Sequence, residues 1–161
     1  MNKNIAHPIK LSIVFLNYNR VDDTRYTLAC IKTLLKNRQD IEVIAVDNAS
    51  TDGTGAFLKT QADWVRVMQM QKNLGIAGYN EGFKKAKGDY ILVLDDDSHP
   101  VNTETLDRLI HRLDSSPQIG VVACRVESAE GEIAQTWHLP NSDQPCQSIA
   151  FVGCGFAIRR D

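Results

Sequence analysis

The sequence has no long apolar stretch, no basic run, no closely paired cysteines and no low-complexity tract. Each absence removes a class of protein. No apolar segment approaches the roughly 20 residues that a bilayer-spanning helix needs, and the opening Met1 to Pro8 lacks the apolar core of a signal peptide, so a cytoplasmic chain is expected. The 18 Lys and Arg are scattered among 20 Asp and Glu, for a formal charge of −2. Such a surface presents no field for a polyanion, so no nucleic-acid partner is expected. Cys30, Cys124, Cys146 and Cys154 show neither Cys-x-x-Cys nor zinc-finger spacing. Reduced thiols are therefore expected, although Cys146 and Cys154 are close enough in sequence to meet across a hairpin. Without a repeat or an interdomain linker, the 161 residues suit a single domain spanning 1–161.

What is present is a regular alternation. Leu11 to Leu16, Ile41 to Val46, Val65 to Met70, Tyr90 to Leu94 and Ile119 to Cys124 are short, mostly β-branched apolar runs, the pattern of strands buried on both faces of a parallel sheet. Between them Leu28, Ile31, Leu34 and Leu35 line one helical face, Tyr79, Phe83 and Ala86 a second, and Leu106, Leu109, Ile110 and Leu113 a third. This alternation predicts a doubly wound α/β sheet, whose ligands gather beyond the carboxyl ends of the strands. After Cys124 the alternation stops: Glu130-Gly131 reads as a turn between short extended pieces, and Ile149 to Val152 and Phe156 to Ile158 read as extended.

The polar segments follow the strands. Asp95-Asp96-Asp97 closes the run from Tyr90, and two carboxylates about 6 Å apart repel by roughly 0.7 kcal/mol in water and nearly 3 kcal/mol at an effective dielectric of about 20. Three in a row call for a cation. If the extended backbone persists, alternation places Asp95 and Asp97 on one side as a clip for Mg²⁺ or Mn²⁺, ions that favour hard oxygens and keep positions open for substrate phosphates. Alternatively the triplet begins a solvated loop and caps the next helix near Asn102 or Thr103. Asp47, ending the second run, suits a base ring N–H or, alternatively, the backbone amides of Ser50 and Thr51. Asn73-x-Gly75-x-x-Gly78 leads into a helix, either to bring backbone near a ligand or simply to make a tight turn. His99 is placed to support a metal or phosphate or to sit half-exposed beside Pro100. Trp137-His138 faces an acceptor or covers the sheet edge. Trp64 reads as packing, and Arg159 and Arg160 either meet phosphate or remain solvated.

Taken in order, Asn17-Tyr18-Asn19-Arg20, Asp47-Asn48-Ala49-Ser50-Thr51-Asp52-Gly53-Thr54, Asn73-x-Gly75 through Asn80, and Leu94-Asp95-Asp96-Asp97 resemble the motifs of the family 2 inverting glycosyltransferases. The resemblance covers nearly the whole chain. It implies a GT-A fold, a Rossmann-like three-layer α/β sandwich with a mostly parallel mixed central sheet. It further implies nucleotide-sugar contacts from Asn17, Tyr18, Asn19, Asp47, Asn73, Gly75, Asn80, Asp95 and Asp96, with Asp97 and Asp95 holding a Mg or Mn divalent cation. Asp47 then matches the base-contacting acid. The donor implied is a UDP or dTDP sugar, in a form closest to members using dTDP-rhamnose or UDP-galactofuranose. The acceptor is a glycan or a lipid-linked glycan, with peripheral association at the inner face of the cell membrane.

In that family the general base lies downstream of the segment resembled by Gly153 to Arg160. The resemblance therefore makes these residues the donor-binding part of a longer enzyme, with Asp161 poorly placed as a base. Two other readings stay open: a non-catalytic nucleotide-sugar-binding module, and a haloacid-dehalogenase-type phosphatase. The phosphatase pattern wants its Asp pair after the first strand, where this chain has Asn17, and a Thr or Val where it has His99. A nucleotidyltransferase would want a Gly-rich basic signature that Asn17 to Arg20 do not supply.

Overall fold

Hydrophobic alternation divides the interior into two layers, one on each face of a single six-stranded sheet. The computed structural model describes residues 8–128, 130–133, 140, 142 and 144–160. Its strands are β1 (Leu11–Asn17), β2 (Ile41–Asp47), β3 (Val65–Gln69), β4 (Tyr90–Asp95), β5 (Val121–Ala123) and β6 (Phe156–Arg159), in spatial order β3-β2-β1-β4-β6-β5. The helices are α1 (Val21–Leu34), α2 (Thr54–Lys59), α3 (Gly78–Phe83) and α4 (Thr103–Asp114), with a 3₁₀ turn at Gly75–Ala77.

Side chains at every second strand position share a face. Leu11, Ile13 and Phe15 of β1, Ile41, Val43 and Ala45 of β2, and Tyr90, Leu92 and Leu94 of β4 pack with Leu28 and Ile31 of α1, Leu58 of α2, and Leu106, Leu109 and Leu113 of α4. The intervening Val14, Ile44, Val46, Ile91 and Val93 pack with Tyr79 of α3 and with Ala86. Three layers result. Burying the three leucines of α4 contributes about 1.5–3 kcal/mol each, and the helix is started by Asn102, whose Oδ1 accepts from Thr105 N at 2.9 Å. Gly82 lets α3 lie close to the sheet, since a Cβ there would stand 2.4 Å from Val14 Cγ1.

β1, β2, β3 and β4 are parallel, as their apolar runs predict, and each of the four ends within a residue of its expected boundary. The fifth run departs from expectation. β5 is a three-residue strand that does not join the parallel set directly: antiparallel β6 lies between it and β4. The sheet is thus mixed. Ile149 to Val152 form no strand, whereas the turn at Gly131 closes an isolated bridge between Glu127 and Ile133. The described cysteines are free, Cys146 and Cys154 included.

Arg159 and Arg160 do not approach a phosphate site. They lie at the opposite end of β4 from the acid triplet, beside Tyr90 and Asp89. There Arg159 Nη2 donates to the carbonyls of Leu113, Ser116 and Ile119, closing the end of α4, and Arg160 Nε donates to Gly88 O. Among the described residues, no helix is long and apolar enough to cross a membrane.

Candidate functional site

In the strand order, the chain runs outward from β1 to β2 and β3 on one side and from β4 on the other, so the β1–β4 boundary is where the winding reverses. Crevices form beyond the carboxyl ends of strands at such a point. The loops after β1, β2, β3 and β4 meet there through side chains. Asn19 N donates to Ser50 Oγ at 3.0 Å, and Asn19 Oδ1 accepts from Thr51 N at 2.7 Å. Asn19 takes a positive φ of 54° to do so. Tyr18 N donates to Asp96 Oδ2 at 3.3 Å, leaving its half-exposed ring on the rim.

Asn48, one residue past β2, joins the second loop to the third and is a residue that motif reading passed over. Its Nδ2 donates to Asn73 Oδ1 and Gly75 O at 2.8 and 3.0 Å, while its Oδ1 accepts from Leu74 N at 2.9 Å. Asn73 Oδ1 also accepts from Gly75 N, where φ is +57°. Asn73 and Gly75 are therefore exposed but rigidly braced. Asn80 is exposed on α3.

Asn17 is corrected from a ligand contact to part of the framework. It shares the face of Leu11, Ile13 and Phe15, is fully buried, and spends its amide on Val46 O and Phe15 O and its carbonyl on the Thr24 hydroxyl. Asp47 lies on the same sheet face and is equally buried. Its Oδ1 accepts from Ser50 N at 3.0 Å, the turn role expected of it as an alternative. Its Oδ2 has no hydrogen-bond partner among the described residues and lies against Gly55, where a Cβ would come within 2.4 Å. Asp52 joins three donors, the Thr54 amide and hydroxyl and Val21 N. Desolvation raises its pKa, but these bonds prevail and hold it below its ordinary value.

The extended backbone does not persist through the triplet. It turns after Asp95, with Ser98 N bonded to Asp95 O and Asp95 N to Ser98 Oγ, so strand alternation does not decide which way Asp97 faces. Asp95 faces α3, and its carboxylate takes the Tyr79 hydroxyl at 2.6 Å. Burial, and after it the Asp95 carboxylate, push that phenol far above its usual range. Asp96 and Asp97 instead converge on Arg20: one nitrogen, Nη1, donates to Asp97 Oδ2 and lies 3.5 Å from Asp96 Oδ1. Burial raises the Asp96 carboxyl, opposed by the Tyr18 amide and Arg20. Cys154 stands beside the same acids, its thiol pushed up by burial and then by Asp95 and Asp97.

His99 packs edge-on to Tyr26 and contacts Pro100 O rather than an acid, and Trp64 packs at the core's rim. Trp137 and His138 lie outside the described residues. Helix capping near Asn102 falls to Asn102 itself and leaves the triplet without that duty.

No group of three or more His, Cys, Asp or Glu is placed to hold a metal among the described residues. The donor set nonetheless fits a hard divalent ion in kind: carboxylate oxygens, few enough to leave positions for phosphate. A positive group already sits between two of them, namely the Arg20 guanidinium.

The family model described as Glycosyl transferase family 2 matches residues 12–159. The chain belongs to glycosyl transferase family 2. It is 35% identical over 118 residues to glycosyltransferase GlyG of Streptococcus pneumoniae, covering 68% of this chain and 38% of GlyG. The fold matches the S. aureus TarS 1-349 crystal structure with a TM-score of 0.76 at 20% identity, over 94% of this chain and 47% of that one. The mannosyltransferase PcManGT of Pyrobaculum calidifontis, solved with GDP-Man and Mn²⁺, matches with a TM-score of 0.67 at 24% identity, over 76% of this chain and 36% of that one. These likenesses establish the GT-A fold. The chain spans less than half the length of each of these three proteins.

Proposed function

We propose that this chain is the donor-binding part of a glycosyltransferase that passes a sugar, with inversion, from a UDP or dTDP sugar to a hydroxyl of a glycan or lipid-linked acceptor. One observation carries the reading: Asp47, fully buried with an unpartnered oxygen, ends β2, while the Asp95-Asp96-Asp97 triplet ends β4, the second strand along. Two strand spacings are about 10 Å, a span that a nucleoside diphosphate bridges.

Asp47 accepts the ring N–H of an imide base such as uracil or thymine, and the exposed Tyr18 ring borders that base. Asn73, Gly75 and Asn80 line the ribose and donor-sugar side, held in place by Asn48. Asn19 binds through the loop that it braces against Ser50 and Thr51. Asp97 and Asp95 would hold a Mg²⁺ or Mn²⁺ ion, which supplies charge neutralisation for a diphosphate leaving group; Asp96 orients the loop against Tyr18 N. In an inverting displacement a carboxylate takes the acceptor proton. Among the converging residues Asp47, Asp95, Asp96 and Asp97 already have these other tasks, Asp52 is occupied by Val21 and Thr54, and the family resemblance puts the base downstream of Gly153 to Arg160. The reading places the chain in the cytoplasm, at the membrane's inner face when the acceptor is lipid-linked.

A bound donor in the related fold supports this assignment: TarS 1-349 has been solved with UDP-GlcNAc. Isothermal titration with UDP, dTDP and GDP, with and without Mn²⁺, tests it. The expected result is Mn²⁺-dependent binding that favours UDP or dTDP and is lost in Asp47→Ala and Asp97→Ala. Nucleotide binding that ignores Mn²⁺ and both substitutions would overturn it.

A further inference from the structure

We infer that the Arg20 guanidinium is an internal counter-ion that a divalent cation must displace, so that the acid site exchanges one positive group for another when it loads. The inference rests on the metal assignment proposed above. Its own basis is the position of Arg20. A single nitrogen, Nη1, serves both Asp96 and Asp97, which leaves the rest of the guanidinium outside the acid pair. The side chain is about half exposed, at 51%, whereas the Asp96 side chain is 10% exposed. Arg20 can therefore leave without unpacking anything, while the acid beneath it cannot.

A second resting place lies within reach. Asp23 Oδ2, one turn along α1, is 3.9 Å from Arg20 Nε. Rotation of the Arg20 side chain toward Asp23 would exchange the exposed Asp97 pair for the exposed Asp23 pair at small cost, because such pairs contribute little, and the buried Asp96 would give up only a 3.5 Å contact. The backbone has no need to move. Asn19 is bonded to Ser50 and Thr51 on one side of Arg20, and Val21 N is bonded to Asp52 on the other. A fixed backbone with a free side chain makes this an exchange of ions and not the opening of a loop.

The electrostatic reason for the arrangement is the triplet itself. Without a cation, adjacent carboxylates at the end of a buried strand repel, and Asp96 carries the additional cost of burial. Arg20 relieves that repulsion before any ligand arrives. The same positive charge then opposes an incoming divalent ion. Repulsion between a guanidinium and a divalent cation about 6 Å apart in water corresponds to on the order of a tenfold change in affinity.

Mn²⁺ titration without nucleotide, following free Mn²⁺ by electron paramagnetic resonance, tests the exchange in wild type, Arg20→Gln, Arg20→Lys and Asp97→Asn. Arg20→Gln should bind Mn²⁺ about tenfold tighter than wild type, Arg20→Lys close to wild type, and Asp97→Asn much more weakly. In the unaltered chain, phenylglyoxal labelling of Arg20, mapped by mass spectrometry, should quicken several-fold on adding Mn²⁺. This second measurement stands even if Arg20→Gln folds poorly. If Asp97→Asn weakens Mn²⁺ binding while Arg20→Gln leaves it unchanged and labelling is indifferent to Mn²⁺, the exchange is wrong and the metal assignment survives. If Asp97→Asn binds Mn²⁺ as wild type does, the metal assignment fails and the exchange fails with it.

Discussion

Gly55→Ala is the smallest change that reaches Asp47 without altering it. A Cβ at position 55 would stand 2.4 Å from Asp47 Oδ2 and 3.1 Å from Gln69 Nε2. Ordinary contact begins near 3.4 Å, so the carboxylate has to retreat by about 1 Å. It is not free to do so, because Oδ1 is bonded to Ser50 N and the residue is fully buried. Loss of a hydrogen bond to a charged acceptor costs about 1.5–3 kcal/mol. Alanine returns up to about 1 kcal/mol through helix propensity, leaving a net destabilisation of about 0.5–3 kcal/mol. Urea unfolding measures that figure, and UDP titration should show at least a tenfold loss of affinity if Asp47 reads the base. The deciding comparison is a double-mutant cycle with Asp47→Ala, which removes the atom that Cβ strikes. In that background Gly55→Ala should be neutral or stabilising. Equal destabilisation in both backgrounds would refute the steric account, and wild-type UDP affinity in Gly55→Ala would refute the role of Asp47.

Three other outcomes can be measured separately. Tyr79→Phe removes the donor shared by Leu94 O and Asp95 Oδ1, at 2.8 and 2.6 Å, and should cost about 1–3 kcal/mol in urea unfolding; a smaller loss would mean water replaces the hydroxyl. Arg159→Ala leaves the Leu113, Ser116 and Ile119 carbonyls without their donor and should lower the melting temperature by several degrees, with UDP affinity unchanged because the residue lies at the far end of the sheet. The Asp114 carboxyl is held low by the Lys10 hydrogen bond and then by Tyr90, so its folded value lies below the ordinary 3.8. Its stabilisation is full above pH 3.8 and disappears as pH falls through the folded value. Asp114→Asn should flatten the fall in melting temperature across that acid range, and an unchanged slope would count against the assignment.

The parallel half of the fold was legible because each of its strands is a short run that is mostly apolar, broken only by residues such as Ser12, Glu42 and Arg66, a pattern produced by helices covering both faces. The position of β6 was not. Which strand neighbours β4 is decided by a pairing across residues 96–155, and no local pattern records it. At the site, the convergence of the loops followed from strand order, yet side-chain roles depended on parity. Counting by twos from Leu11 places Asn17 in the buried layer beneath α1, a signal present in the sequence that its motif position obscured. The same count places Asp95 toward Tyr79 and Asp96 toward Arg20. The turn that carries Asp97 round to Arg20 depends on Ser98 closing back on Asp95, which alternation along an extended strand misses. Asn48 was overlooked because an Asn beside a strand-end Asp looks like ordinary turn composition, and only its three partners reveal the brace.

The place of β6 has a consequence for how the molecule is made. Gly155 N donates to Val93 O, just below the acid triplet, and Phe156 to Arg159 then cover the open side of β4. A ribosome emits Tyr90 to Asp95 long before it emits the strand that shields them. During that interval an apolar strand edge is bare, the kind of edge that recruits other chains. Chaperone dependence, and clumping of nascent fragments that stop short of residue 155, should therefore trace to this late-arriving partner and not to any weakness in the parallel half.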